Sequence, residues 1–350
     1  MIRSGELARY RDAGVSGVTA NPTIFAKALD SSDVYADDVR VRLDRGQDAE
    51  SVLWDLLVED VQAAADIFRP VVDREHGGDG FVSIEVSPEI ASDTDRTIEV
   101  ARDLARRTAR PNVMVKIPAT PAGLPAIQAM IGEGVNINVT LIFAVERYAK
   151  VVEAFFAGLE ELQKKRGDLS LVHSVASFFV SRVDTKVDEQ LMKRIEQEPD
   201  ERRRRDLEAL LGRAAIANSK LAYDMFAQLH SGHRWDSLRG AGASGQRCLW
   251  ASTSTKNPRY RDTMYVEELI GPATVNTMPP ATFEAFLDHG KVELSLQQDV
   301  EGARRLLDQL AVEGIDLAAI TQELEDEGVE SFARSFRDSI ERLAKVKTPR

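Results

Sequence analysis

Hydrophobic positions along this chain fall into two alternating rhythms. Short runs rich in branched and aromatic residues recur at 15–21, 81–86, 113–119, 137–143, 173–179, 248–253 and 274–278. Between them, stretches such as 52–72 and 92–109 repeat their apolar residues at helical spacing. Strand and helix in strict alternation predict a parallel sheet wound with helices. The pattern supplies seven strands, whereas a closed parallel barrel has eight. The expected architecture is α/β: a (β/α)8 TIM-type barrel with extra helices, whose first strand is missing from the pattern. The chain opens instead in a short helical segment over 6–13 that leads directly into the run from Val15. Either a strand precedes the present start or another segment closes the barrel. One domain over 1–350 is expected, with C-terminal helices from about residue 294 onward and breaks at Gly314 and Gly328.

Side chains alternate faces along a strand, so each run sorts into two sets. Val82, Ile84 and Val86 oppose Ser83, Glu85 and Ser87; Val113, Val115 and Ile117 oppose Met114, Lys116 and Pro118; Ile137, Val139 and Leu141 oppose Asn138, Thr140 and Ile142. In a barrel the apolar set packs under the helices and the other set points inward. These strands therefore send polar groups into an interior that branched aliphatics usually fill, where an unpaired polar group costs several kcal/mol. The polar residues also gather toward strand C-terminal ends, where barrel enzymes place their chemistry.

Lys116 is the sharpest case. A lysine in a partly desolvated pocket loses its preference for the ammonium form, and a free amine can attack a ketone to give an iminium. Glu85 fits a proton-transfer role, because forming and hydrolysing a carbinolamine moves protons on and off oxygen; it also fits a simple salt-bridge partner for Lys116. Thr140 could position the water that Glu85 uses. Asn21 and Asn138 can hydrogen-bond sugar hydroxyls, and Pro22 after Asn21 favours a turn at that strand end.

Composition narrows the setting. A hydrophobic fraction of 43% and a charged fraction of 29% over 350 residues describe an ordinary globular chain. No stretch approaches the ~20 apolar residues of a membrane span, and the start lacks the apolar core of a signal peptide, so a cytoplasmic location with no membrane partner is expected. The net charge of −12 argues against nucleic acid. An anionic small substrate would then need a local cationic site. The lone Cys248 sits in an apolar run and reads as a small buried hydrophobe. Arg202 to Arg205, flanked by acids, read as a solvated helix face. The GAGASG stretch at 240–245 precedes a strand rather than linking a strand to a helix, so nucleotide binding is not expected; His230-x-x-His233 reads as a surface loop rather than a metal site. No cofactor and no metal are expected.

Five segments in order, TANPTIF at 19–25, SIEV at 83–86, VKIPAT at 115–120, INVTLIF at 137–143 and ASFFVSRVD at 176–184, resemble transaldolase. The resemblance continues through WASTSTKNP at 250–258 and NTMP at 276–279 and so covers nearly the whole chain. It implies transfer of a dihydroxyacetone unit from sedoheptulose 7-phosphate to glyceraldehyde 3-phosphate through a Schiff base on Lys116, with sugar phosphates as partners and a monomer or homodimer as the assembly. By the same resemblance Glu85 and Thr140 handle the catalytic water, Asn21, Asn138 and Ser177 contact the donor sugar, and Arg182, Ser252 and Lys256 hold phosphate. The family also carries an aspartate at the end of a first strand as the base for carbon–carbon cleavage, and no residue here matches it, Asp12 lying in the opening helical segment. A paralogue or sugar-phosphate aldolase of altered specificity, or an inactive truncated form, is the alternative.

Overall fold

The computed structural model describes residues 1–2, 4–21 and 35–346. Seven strands are present among them: β1 (Val18–Thr19), β2 (Val82–Glu85), β3 (Val113–Pro118), β4 (Ile137–Ile142), β5 (Ser174–Phe179), β6 (Arg247–Ala251) and β7 (Thr274–Asn276). Each overlaps the run that predicts it: six lie inside their runs, trimmed by a few residues, and β6 starts one residue earlier, at Arg247. Sheet order equals chain order, β1 to β7. Parallel pairing joins β1 to β2, β2 to β3, β5 to β6 and β6 to β7. A parallel sheet in unbroken sequential order, with helices between successive strands, is the winding of the TIM-type class, one strand short of the closed form. No described helix is long and apolar enough to cross a membrane.

The described residues divide into two compact units, which interleave along the chain. One comprises 1–138, 158–174 and 328–350; the other comprises 139–157 and 175–327. In the first, helix Ala49–Arg74 starts where the Asp48 side chain accepts the Ser51 amide, and it buries Val52, Leu53, Leu56, Val61, Ala65 and Phe68. That stripe returns at helical spacing. The 49–56 end shares a cluster with Val39, Phe336 and Leu343. Gly17 allows β1 to lie close to β2: a Cβ there would stand 2.5 Å from the Phe81 carbonyl oxygen.

The second unit holds the long insertion between β5 and β6, which is four helices, Ser181–Gln197, Glu201–Glu208, Ala214–Leu229 and His233–Gly240. Arg202 to Arg205 ride on the second of these; Arg203 pairs with Glu313 at 2.6 Å, so the face is solvated and ion-paired as its flanking acids imply. Of the two histidines, His230 lies in the short turn between two helices, as expected, whereas His233 is helical. His230 caps one helix and His233 opens the next, and the His230 ring packs edge-on to Trp235, its centroid 4.8 Å away, with burial pushing its pKa down to about 4. Cys248 is buried beside the Tyr148 hydroxyl, and burial pushes its thiol up to about 12, so it is inert at neutral pH.

Two further expectations are corrected. Gly314, at φ 74, does end helix Val300–Val312, but Gly328 lies inside helix Leu317–Ala344 and breaks nothing. A lone glycine costs a helix about 1 kcal/mol, too little to break one this long. In β4 the regular alternation stops at Leu141, whose φ of 58 is left-handed backbone that a branched side chain rarely adopts.

Candidate active site

The first unit builds a buried ion pair. β2 and β3 place Glu85 directly opposite Lys116 in register, on the same face, and Lys116 Nζ stands 3.3 Å from Glu85 Oε2. Lys116 is 5% and Glu85 7% exposed. Burial pushes the Glu85 carboxyl up from the ordinary glutamate range, and the Lys116 ammonium opposes that shift without cancelling it. One contact of this length is a thin return for two buried charges, which argues for chemistry rather than stability. The neighbouring inward residues follow the expected face. Asn138 is fully buried and donates from Nδ2 to Ser83 Oγ at 3.0 Å. Asn21 lines a cavity of about 20 Å³ together with Ala20, Trp54, Glu85 and Phe336. That volume has room for about one water against the Glu85 carboxyl. Pro22 and the rest of the TANPTIF motif lie outside the described residues.

Two groups here were not foreseen. The Phe332 ring centroid lies 5.8 Å from Lys116 Nζ, and Phe336 walls the cavity at Glu85. Both come from the last helix, more than 200 residues away in sequence. Their 332/336 spacing marks a buried helix stripe, but nothing local says what it covers.

The second unit gathers a different set. Thr140 is fully buried and its Oγ1 has no hydrogen-bond partner among the described residues. Such a group is costly unless something polar reaches it. Ser177 is buried on β5 in register with Leu249. Arg182 is half-buried at the start of helix Ser181–Gln197, its guanidinium 5.6 Å from the Phe179 ring centroid. Burial disfavours its cation, and no hydrogen bond or close ion pair engages it among the described residues; only the field of Glu327 offsets the loss. An arginine held like this is a ready partner for an anion.

Ser252 follows β6 with φ 58 and is bonded to Ser181 twice, through its carbonyl oxygen at 3.1 Å and between hydroxyls at 2.9 Å. This brings Ser252 beside the residue that precedes Arg182. Thr253 donates to Oδ1 of Asn276, the last residue of β7 and the first of the NTMP motif, at 2.8 Å. Lys256 is exposed and donates to Ser254 Oγ at 2.8 Å. The structure thus joins Lys116, Glu85 and Asn21 in one unit and Ser252 with the Arg182 turn in the other; among the described residues Lys256 meets only Ser254.

A sequentially wound parallel α/β sheet with a buried lysine beside a carboxyl near a strand's C-terminal end is an arrangement of the TIM-type enzyme class. The family model described as transaldolase/fructose-6-phosphate aldolase matches residues 1–343. A transaldolase of Thermobifida fusca is 47% identical over 345 residues, covering 98% of this chain and 92% of that protein. Transaldolase 1 of Streptomyces avermitilis is 47% identical over 98% of this chain and 89% of its own length. A transaldolase of Trichodesmium erythraeum is 40% identical across all of this chain and 93% of its own. The chain belongs to the transaldolase/fructose-6-phosphate aldolase family.

Proposed function

We propose that this chain is a transaldolase, a transferase that moves a dihydroxyacetone unit from a ketose phosphate such as sedoheptulose 7-phosphate to glyceraldehyde 3-phosphate, acting as one catalytic domain, monomeric or homodimeric, in the cytoplasm. The observation that carries the reading is the buried Lys116–Glu85 pair at 3.3 Å, in a chain nearly half identical to named transaldolases.

In this reading the neutral Lys116 amine adds to the donor ketone carbon, forming the C–N bond of a carbinolamine. Glu85, whose carboxyl burial pushes up from the ordinary glutamate range, protonates the departing hydroxyl, and water leaves to give the iminium. Thr140 Oγ1 is the hydroxyl that holds this water for return. Asn21, Asn138 and Ser177 hydrogen-bond the sugar hydroxyls, so that the iminium carbon stays aligned with the bond to be broken. Arg182, Ser252 and Lys256 bind the phosphate; a guanidinium can do so bidentately. Breaking the carbon–carbon bond requires a base on the adjacent hydroxyl. Asp12 is unsuited to it, being exposed and paired to Arg11 at 2.7 Å.

Borohydride reduction in the presence of fructose 6-phosphate tests the core of the proposal. A covalent adduct is expected on the wild type and absent from Lys116→Ala; no adduct on the wild type, or an equal adduct on the variant, sinks it. Adding erythrose 4-phosphate and assaying sedoheptulose 7-phosphate against free dihydroxyacetone then separates transfer from simple cleavage.

A further inference from the structure

The helix that begins at Ser181 carries two acids one turn apart, Asp184 and Asp188, on one face. Both are buried, and both are fully engaged. Asp184 accepts the Ala215 amide at 2.7 Å and the Tyr265 hydroxyl at 2.8 Å. Asp188 repeats the arrangement, accepting the Gly212 amide at 2.9 Å and the Tyr260 hydroxyl at 2.5 Å. The two tyrosines belong to the segment that follows β6, the same segment that begins with Ser252 and carries Lys256. Tyr260 lies flat on Gly212, where φ is +69 and an added Cβ would stand 2.6 Å from the ring carbon Cζ.

The near end of that segment is bound to the same helix by the Ser181–Ser252 bonds and by the Val180 amide to the Ala251 carbonyl at 2.9 Å. Residues 252–265 are therefore fastened at both ends to one helix, whose second residue is Arg182. Burying two carboxylates is an expensive way to pack a loop; apolar side chains of similar volume would do it at least as well. What a carboxylate with two directional donors adds is a fixed register between the partners.

We propose that Asp184–Tyr265 and Asp188–Tyr260 are positioning pairs that hold the Ser252–Lys256 loop in register with Arg182 and so set the affinity of this enzyme for the phosphate group of its sugars. The inference rests on the transaldolase reading and adds residues that touch neither the sugar nor Lys116.

The test uses two donors, fructose 6-phosphate and the phosphate-free dihydroxyacetone, and reads the concentration of each that half-saturates borohydride trapping on Lys116. Tyr260→Phe keeps the ring on Gly212 and removes one hydrogen bond. It should raise the half-saturating fructose 6-phosphate about five- to tenfold while leaving dihydroxyacetone unchanged. Inorganic phosphate, titrated calorimetrically, should weaken by the same factor. Tyr265→Phe should do likewise; if that deeply buried change prevents folding, Tyr260→Phe decides alone. An equal shift for both donors, or a lowered melting temperature with neither donor shifted, overturns the positioning role and reduces the pairs to scaffold. Absence of any adduct on the wild type is a different failure: it removes the transaldolase reading and this inference with it.

Discussion

Two buried acidic sites in this protein are built in opposite ways. Among the described residues Glu85 has a single polar contact, Lys116 Nζ at 3.3 Å, while Asp184 has a backbone amide at 2.7 Å and a phenol at 2.8 Å on its two oxygens. Burial pushes both carboxyls up, but only Asp184 has its lone pairs answered from two directions. A satisfied carboxylate holds things in place. An under-satisfied one beside an amine keeps capacity for the proton transfers that imine chemistry needs.

If that contrast is right, the two sites should fail differently. Glu85→Gln should produce the largest effect, lowering the rate of adduct formation and turnover by about 10²–10⁴-fold, with the melting temperature nearly unchanged; stopped-flow trapping and a thermal scan read both. A large drop in melting temperature with normal rates would reverse the assignment. Asp184→Ala should behave in the opposite sense. It strands the Ala215 amide and the Tyr265 hydroxyl, each worth about 1–3 kcal/mol when buried without a partner, so denaturant unfolding should show a loss of about 2–5 kcal/mol, while the maximal rate at saturating donor changes little.

A third difference lies in pH dependence. Burial pushes Asp184 up to about 7, above the ~3.9 of an unfolded aspartate. Between those values the folded state holds a proton that the unfolded state has lost. This contribution to stability is therefore fully present below about pH 4 and disappears as pH rises through 7, with a slope of about 1.4 kcal/mol per pH unit. Asp184→Asn should remove that slope from the difference between the two unfolding curves. Parallel curves would show that Asp184 does not titrate in this window.

Much of the active site is legible without coordinates because strand alternation is strict. Once Ser83 and Glu85 share a face, as do Lys116 with Met114 and Asn138 with Thr140, an inward lysine next to an inward glutamate follows from a period of two, and the register of β2 on β3 bears it out. Leu141 marks where such reasoning stops: a left-handed residue shifts the pleat, and no local propensity announces it. The Asp184–Tyr265 and Asp188–Tyr260 pairs were not legible either. Spacing puts the two acids on one helix face, which ordinarily means solvent, and only the return of two later segments, carrying Gly212 with Ala215 and Tyr260 with Tyr265, covers them.

The division has a simple physical origin. Periodicity and backbone preference act over a few residues, so the order of strands and helices, the inward set on each strand and the amine at Lys116 are properties of the sequence alone. Burial and partnership depend on what the chain brings back from far away. That Phe332 faces Lys116, that Arg182 is left without a counter-ion among the described residues, and that Asp184 is clamped while Glu85 is not are decided only when distant segments pack and exclude water.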